Sequence, residues 1–150
     1  MRKRVIAVVG PGECDGETAD LARDVGARLA RAGCIVMTGG LGGVMEAASR
    51  GAKESGGTVV GVLPEARGSS ANAFVDVAIA TGMGEARNVI LVNSADSLVA
   101  VGGGYGTLSE IALALRAGKR VVSLGSWMPD PKVIVATSVD EAVERALDAG

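Results

Sequence analysis

Apolar positions along the chain fall into two alternating rhythms. Unbroken apolar runs predict strands at "RVIAVVG" (4–10), "CIVMTGG" (34–40), "TVVGVLP" (58–64), "FVDVAIATG" (74–82), "DSLVAVG" (96–102) and "KRVVSLG" (119–125), with "KVIVATS" (132–138) as a seventh candidate. Between these runs the apolar residues recur every three to four positions, the period of a helix packed on one side. Over 17–33, Leu21, Ala22, Val25 and Leu29 share one face, while Arg23, Asp24, Arg28 and Arg31 lie away from it, and Gly33 suits the stop. Further helices are predicted over 44–56, 84–95, 107–118 and 139–150. In 107–118 the expected buried stripe is Leu108, Ile111, Ala112 and Leu115. The run "VILV" inside 84–95 is compatible with a strand, but a better strand follows directly, so a helix is the reading. "RGSSANA" (67–73) is a polar loop.

Strands that are apolar throughout, separated by helices, belong to a parallel sheet covered on both faces. Right-handed crossovers then give an α/β fold: a Rossmann-like, open, mostly parallel, doubly wound sheet of six to seven strands with helices on both sides. No linker or shift in composition divides residues 1–150, which predicts one domain, and no internal repeat stands out. In such a sheet ligands sit beyond the C-terminal strand ends, where the strand order reverses.

Composition narrows the chemistry. Aromatic residues make up 2% of the chain, so the core must be built from Val, Ile, Leu and Ala. Fifteen basic and 17 acidic residues give a net charge of −2, without the basic stripe that duplex binding needs. Scarce aromatics also argue against stacking on single strands, so no nucleic-acid partner is expected. There is no histidine, which excludes a histidine-based zinc site, a Ser-His-Asp triad and a Cys-His dyad. Two cysteines, Cys14 and Cys34, make a disulfide framework unexpected and point to the cytoplasm. "MRKR" runs straight into a strand and does not read as a signal peptide. No apolar run reaches the length of a membrane span.

Glycine is the distinctive excess, at 23 residues, and it clusters at three predicted strand ends. These are "GPGECDG" (10–16), "GGLGG" (39–43) and "GGGYG" (102–106), all on the ligand-binding edge. One such turn is ordinary loop chemistry. Three on one edge predict a phosphate cradle of bare backbone N–H groups at helix N-termini, formed by Gly10, Gly12, Gly39, Gly40, Gly42, Gly43, Gly103, Gly104, Gly106 and Thr107. The dinucleotide fingerprint and the P-loop G-K-[ST] are both missing, so no resident cofactor is expected, and no metal either. Thr107-Leu-Ser-Glu110 matches a capping box, as does Ser138-Val-Asp-Glu141. Glu110 therefore has two readings, a helix cap or a carboxylate facing the bound group. Arg87 is either a solvated surface charge or a guanidinium pairing with a phosphate or with Glu110. Cys14 has no histidine to activate it and reads as incidental. Glu46 reads as a favourable charge at a helix start.

"TGGLGGVMEAASRGA" and "ARNVILVNSADSLVAVGGGYGTLSE", with the spacing between them, resemble the LONELY GUY family, long mislabelled as lysine decarboxylases. They resemble still more closely its short bacterial relatives, the molybdenum-cofactor carrier proteins. The likeness spans most of residues 4–125, and G-G-x-G-T-x-x-E is its most specific part. It implies a Rossmann-like sheet and a homodimer or larger assembly. It implies a phosphorylated small-molecule partner, either a nucleoside 5′-monophosphate or molybdenum cofactor. The family's enzymes release base and ribose 5-phosphate by N-glycosidic cleavage, and their motif Arg and Glu fall on Arg87 and Glu110. Their phosphate-binding glycines fall on Gly103, Gly104 and Gly106, with Thr107. The chain departs from the enzymes at Gly102, where they carry Pro, and at Asn88, where they typically carry Lys. A lysine decarboxylase is not supported, because neither candidate loop supplies a Schiff-base lysine. The helix with Val89 to Val92 is apolar on more than one face, which predicts a dimer, with cover by the neighbouring helix over 107–118 as the rival.

Overall fold

The computed structural model describes residues 2–148. Seven strands form one sheet: β1 (Val5–Val9), β2 (Ile35–Thr38), β3 (Val59–Leu63), β4 (Val77–Ala80), β5 (Ser97–Val101), β6 (Arg120–Leu124) and β7 (Ile134–Ala136). Five α-helices connect or follow them: α1 (Gly16–Arg31), α2 (Val44–Glu54), α3 (Arg87–Ser94), α4 (Tyr105–Arg116) and α5 (Val139–Leu147). The last two residues of the helix expected over 139–150 lie outside the described residues.

Every pairing is parallel, in the order β4-β3-β2-β1-β5-β6-β7. The chain builds outward from β1 to β4 and then crosses back to place β5 on the other side of β1. That reversal leaves a crevice above the ends of β1 and β5, where open α/β sheets receive ligands. Alternation along the strands sorts side chains into two layers. Ile6, Val8, Val99 and Val101 pack under α1, α2 and α5. Ala7, Val9, Leu98 and Ala100 pack under α3 and α4.

With so few aromatics the layers are thin, and helices approach closely. A Cβ on Gly26 of α1 would run into the Ala48 carbonyl of α2, and one on Gly51 into the Arg23 carbonyl of α1. At the N-terminal edge of the sheet, charges are consumed in joinery. Asp96 accepts a hydrogen bond from the Val5 N–H at 2.8 Å and pairs with Arg2 at 2.7 Å, and Arg2 holds its carboxyl down at about 2.

Three differences from the sequence reading have physical causes. First, β4 is shorter than 74–82. Asn72 Oδ1 turns the chain by accepting from the Phe74 N–H, and Asp76 accepts from the Val59 N–H, so 74–76 are spent on a turn. Second, α3 is preceded by a tight 3₁₀ turn at Gly84–Ala86, so the predicted helix over 84–95 starts at Arg87. Third, α4 begins at Tyr105, two residues early, and its buried stripe is Thr107, Glu110, Ile111 and Ala114. The stripe read from apolar period alone is displaced, because the N-terminal turns of α4 face the crevice and bury polar groups there.

Candidate functional site

A cleft of about 300 Å³ opens at the strand-order reversal, within the size range of small-ligand sites. Gly10 to Gly12, just after β1, form one wall. Gly104 to Thr107, the turn between β5 and α4, form another. The start of α3 supplies Arg87 and Asn88 as the third. Each wall comes from a different crossover, so the cleft exists only when the sheet has closed around β1.

Of the residues predicted to gather here, Gly10, Gly12, Arg87, Gly104, Gly106, Thr107 and Glu110 line the cleft. Gly39, Gly40, Gly42, Gly43 and Gly103 do not line it. The second cluster stands behind the first wall. Gly43, at φ +60°, starts α2 against Pro11 and Gly12. A Cβ on Gly39 would lie 2.8 Å from Arg87 Nη2, so this glycine makes room for the guanidinium. Gly40 donates its N–H to Thr38 Oγ1 at 3.0 Å and packs on Leu63. Gly103 lies beside the Trp127 indole. The sequence reading missed Pro11, Met45, Glu85, Asn88 and Tyr105 as lining residues. For Asn88 the signal was its place next to Arg87; for Met45 there was none.

The glycines differ in what demands them. At Gly10 a Cβ would collide with the Val101 carbonyl and lie 2.5 Å from Val44 Cγ1, so packing alone requires glycine. Gly106 is different. No atom lies within 4 Å of where its Cβ would be, and its φ is not positive. Glycine in the first turn of a helix is worse than alanine by up to about 1 kcal/mol. The fold has no use for glycine at 106, while a group seated against the backbone would.

Arg87 is buried, contrary to the surface-charge reading. Its Nε donates to the Val62 carbonyl at 2.9 Å and its Nη1 to Asn88 Oδ1 at 2.6 Å. These bonds lock the fork and leave Nη2 with no hydrogen bond among the described residues. They also fix the Asn88 amide, whose NH₂ is what remains for the cleft. No carboxylate comes within ion-pair distance of Arg87 among the described residues, so the pairing with Glu110 is not made.

Glu110 is 7% exposed, and its carboxyl accepts no hydrogen bond among the described residues. Burial pushes it up to about 7, against a smaller opposing pull from Arg87. The capping-box reading fails here. The helix is capped by Gly104 with no side-chain cap, and Thr107 sits inside the first turn. Thr107 Oγ1 is buried with no hydrogen-bond partner. A buried hydroxyl without a partner costs roughly 1–3 kcal/mol, so this one is built to meet something. A locked guanidinium, an orphan hydroxyl, an amide NH₂ and the positive end of α4 converge on a cleft lined by two acids, Glu85 and Glu110, of which the buried Glu110 is only about half ionised at pH 7. Such a set of donors is chemically suited to holding an anion.

Cys14 lies outside this cleft. Burial and neighbouring Asp15 push its thiol up, which makes it a poor nucleophile.

The fold and cleft together define a Rossmann-like α/β protein with its crevice at the strand-order reversal. The chain belongs to the SLOG cluster4 family, whose profile matches residues 3–148. It is 51% identical to a protein of Archaeoglobus fulgidus over 99% of this chain and 95% of that one. Among solved structures, the molybdenum cofactor binding protein of Rippkaea orientalis is 40% identical with a TM-score of 0.91, covering 96% of this chain and 95% of the other. The molybdenum cofactor carrier protein of Chlamydomonas reinhardtii is 41% identical with a TM-score of 0.86, covering 95% of each chain. The resemblance to molybdenum-cofactor carriers and their LONELY GUY relatives therefore holds along nearly the whole chain.

Proposed function

We propose that this protein binds and carries molybdenum cofactor, a phosphorylated pterin, with its phosphate in the cleft between Gly104–Thr107 and Arg87. The observation that carries the reading is Arg87: a buried guanidinium, locked by two hydrogen bonds, with no carboxylate in ion-pair contact among the described residues. A phosphate supplies the opposite charge. Thr107 Oγ1 and the N–H groups at the start of α4 supply the remaining contacts, with Gly10, Gly12, Gly104 and Gly106 keeping the backbone close to the ligand. Gly39, Gly40, Gly42, Gly43 and Gly103 act from behind, by shaping the turns. Likeness to a molybdenum cofactor binding protein and to a molybdenum cofactor carrier protein, at about 40% identity over nearly the full chain, supports this choice of ligand.

The two departures from the family's enzymes support carriage over hydrolysis. Gly102 has φ +71°, a conformation closed to the Pro those enzymes carry. Asn88 spends its carbonyl on Arg87, where a lysine would add a second cation.

The second reading is a nucleoside 5′-monophosphate phosphoribohydrolase. One observation favours it: Glu110, buried beside the cleft and pushed to about 7, is tuned for work on a cationic, oxocarbenium-like sugar. Arg87 then holds the phosphate. Mass spectrometry of small molecules released from natively purified protein separates the two. A molybdenum-bearing phosphorylated pterin supports carriage. Turnover of AMP that disappears in Glu110→Gln, with the variant folded and no less stable than wild type, establishes the hydrolase instead.

The same reading places the carrier in the cytoplasm, which suits two free cysteines; no helix among the described residues is long and apolar enough to cross a membrane. It also carries a homodimer. Leu91 and Val92 of α3 are buried within the chain, but Val89 remains 43% exposed beside a groove with Leu113 and Ala117 of the α4 side. Light scattering at micromolar concentration tests this: two chain masses are expected, and one chain mass removes the dimer.

A further inference from the structure

The chain has one Tyr, one Trp and one Phe. In so aromatic-poor a protein, rings are expected in the core, where they bury the most area. Two of the three are instead stacked on each other at the mouth of the cleft. The rings of Tyr105 and Trp127 lie 6.3 Å apart between centroids at an interplanar angle of 24°. Tyr105 lines the cleft and is 86% exposed, more than any other large apolar side chain among the described residues. The pair is not a loose rim. Trp127 Nε1 donates to the Gly104 carbonyl at 2.9 Å, which ties the turn after β6 to the glycine turn itself. Tyr105 is the first residue of α4, so its Cα moves only with the helix that aims N–H groups at the anion.

We propose that Tyr105, backed by Trp127, is the stacking platform for the flat heterocycle of the ligand, a pterin or purine ring whose phosphate enters between Arg87 and Thr107. The proposal rests on the phosphate reading of the cleft and adds the second half of the recognition. Nothing in the packing requires a ring at 105. The ring sits between Gly104 and Gly106, both cleft-lining, so ring and phosphate sites share one turn of backbone. Trp127 lies alongside the tyrosine ring at 6.3 Å between centroids, and the ring stays 86% exposed, open to a planar group. An exposed aromatic face beside an anion site suits a planar group on a short linker to a phosphate. It selects for flatness and tolerates differences in ring substituents, since every such ring has a π-face.

The single tryptophan makes the test direct. Binding is followed by Trp127 fluorescence and by calorimetry, with 6-hydroxymethylpterin phosphate and AMP as ring-bearing probes and inorganic phosphate as the ring-free probe. Stacking on an aromatic side chain is worth enough to change affinity about five- to a hundredfold. The ring-bearing probes are expected to bind wild type on the order of tenfold more tightly than phosphate and to quench Trp127. Tyr105→Ala brings them down to the phosphate level, and Tyr105→Phe restores them. The exposure of Tyr105 keeps these variants folded. Phosphate binding with no gain from a ring overturns the platform and leaves the anion site standing. An equal loss of phosphate and ring-bearing probes in Tyr105→Ala also overturns it, because the residue then acts on the turn alone. No binding of any probe overturns both readings, and dissociation of an assembly with unchanged binding assigns the aromatic pair to an interface between copies instead.

Discussion

Thr107-x-x-Glu110 and Ser138-x-x-Glu141 are the same four-residue pattern put to opposite uses. At Ser138 the pattern caps a helix. The Ser138 hydroxyl accepts from the Glu141 N–H at 3.1 Å, and the Glu141 carboxylate reaches back to the Thr137 N–H at 2.7 Å. All of it is exposed to solvent. At Thr107 the hydroxyl has no partner, and the carboxyl is buried without a hydrogen bond. The difference is where the helix starts. Gly104 begins α4 three residues before the threonine, and this rolls the pattern inward by most of a turn. A motif's chemistry is thus set by its phase in the helix as much as by its residues. Unspent polar groups set the α4 end apart from the solvated, fully used cap at α5.

The largest test of this contrast is Glu110→Gln. In the unfolded chain Glu110 titrates near 4.5, and in the folded protein near 7. Between those values the folded state holds a proton that the unfolded state has released, so stability falls as pH rises through this window and then levels off. Glu110→Gln removes the dependence. It is expected to match wild type below pH 4.5 and to exceed it by about 3 kcal/mol above pH 7. Urea unfolding at pH 4.5 and pH 8 reads the difference; a constant gap at both pH values breaks the contrast.

Thr107→Val keeps the shape and deletes the orphan hydroxyl. Stability should hold or rise by about 1–2 kcal/mol, and affinity for a phosphorylated probe should drop about tenfold. Calorimetric titration with unaltered affinity would return Thr107 to a packing role. Ser138→Ala runs the other way, losing about 1 kcal/mol with the cap and leaving ligand affinity untouched. The smallest effect is expected at Gly106→Ala. Thermal melting should show a gain of up to about 1 kcal/mol from helix propensity, with weaker phosphate binding. A loss of stability there would mean that the fold, not a ligand, demands the glycine.

Much of this architecture was readable beforehand, and the reasons differ by element. β1, β2, β5 and β6 are buried on both faces, so their unbroken apolar runs could hardly mean anything else. β4 was overextended because the polar turn made by Asn72 and Asp76 depends on a strand distant in sequence, β3. Glycine-rich turns were legible as a class. Separating Gly10, required by Val44 and Val101, from Gly106, required by no protein atom, needs contacts that sequence does not carry. Arg87 stayed open between a surface charge and a pairing guanidinium because its partners, Val62 and the space over Gly39, come from elsewhere in the sheet. Glu110 was ambiguous for the reason already given: the pattern does not state its phase.

The placement of β5 beside β1 has a consequence for how the protein is made. Ile6 pairs with Ser97, while Ile35 already pairs with Val5 on β1's other side. On the ribosome, β1 to β4 can assemble as a half-sheet long before β5 emerges. Until then the edge of β1, the strand "VIAVV" at the centre of the finished molecule, stands unpaired and apolar. A nascent chain stalled before residue 101 presents that edge to its neighbours on the polysome. The interval before β5 emerges is thus one in which the apolar edge of β1 lacks the strand that covers it in the finished sheet.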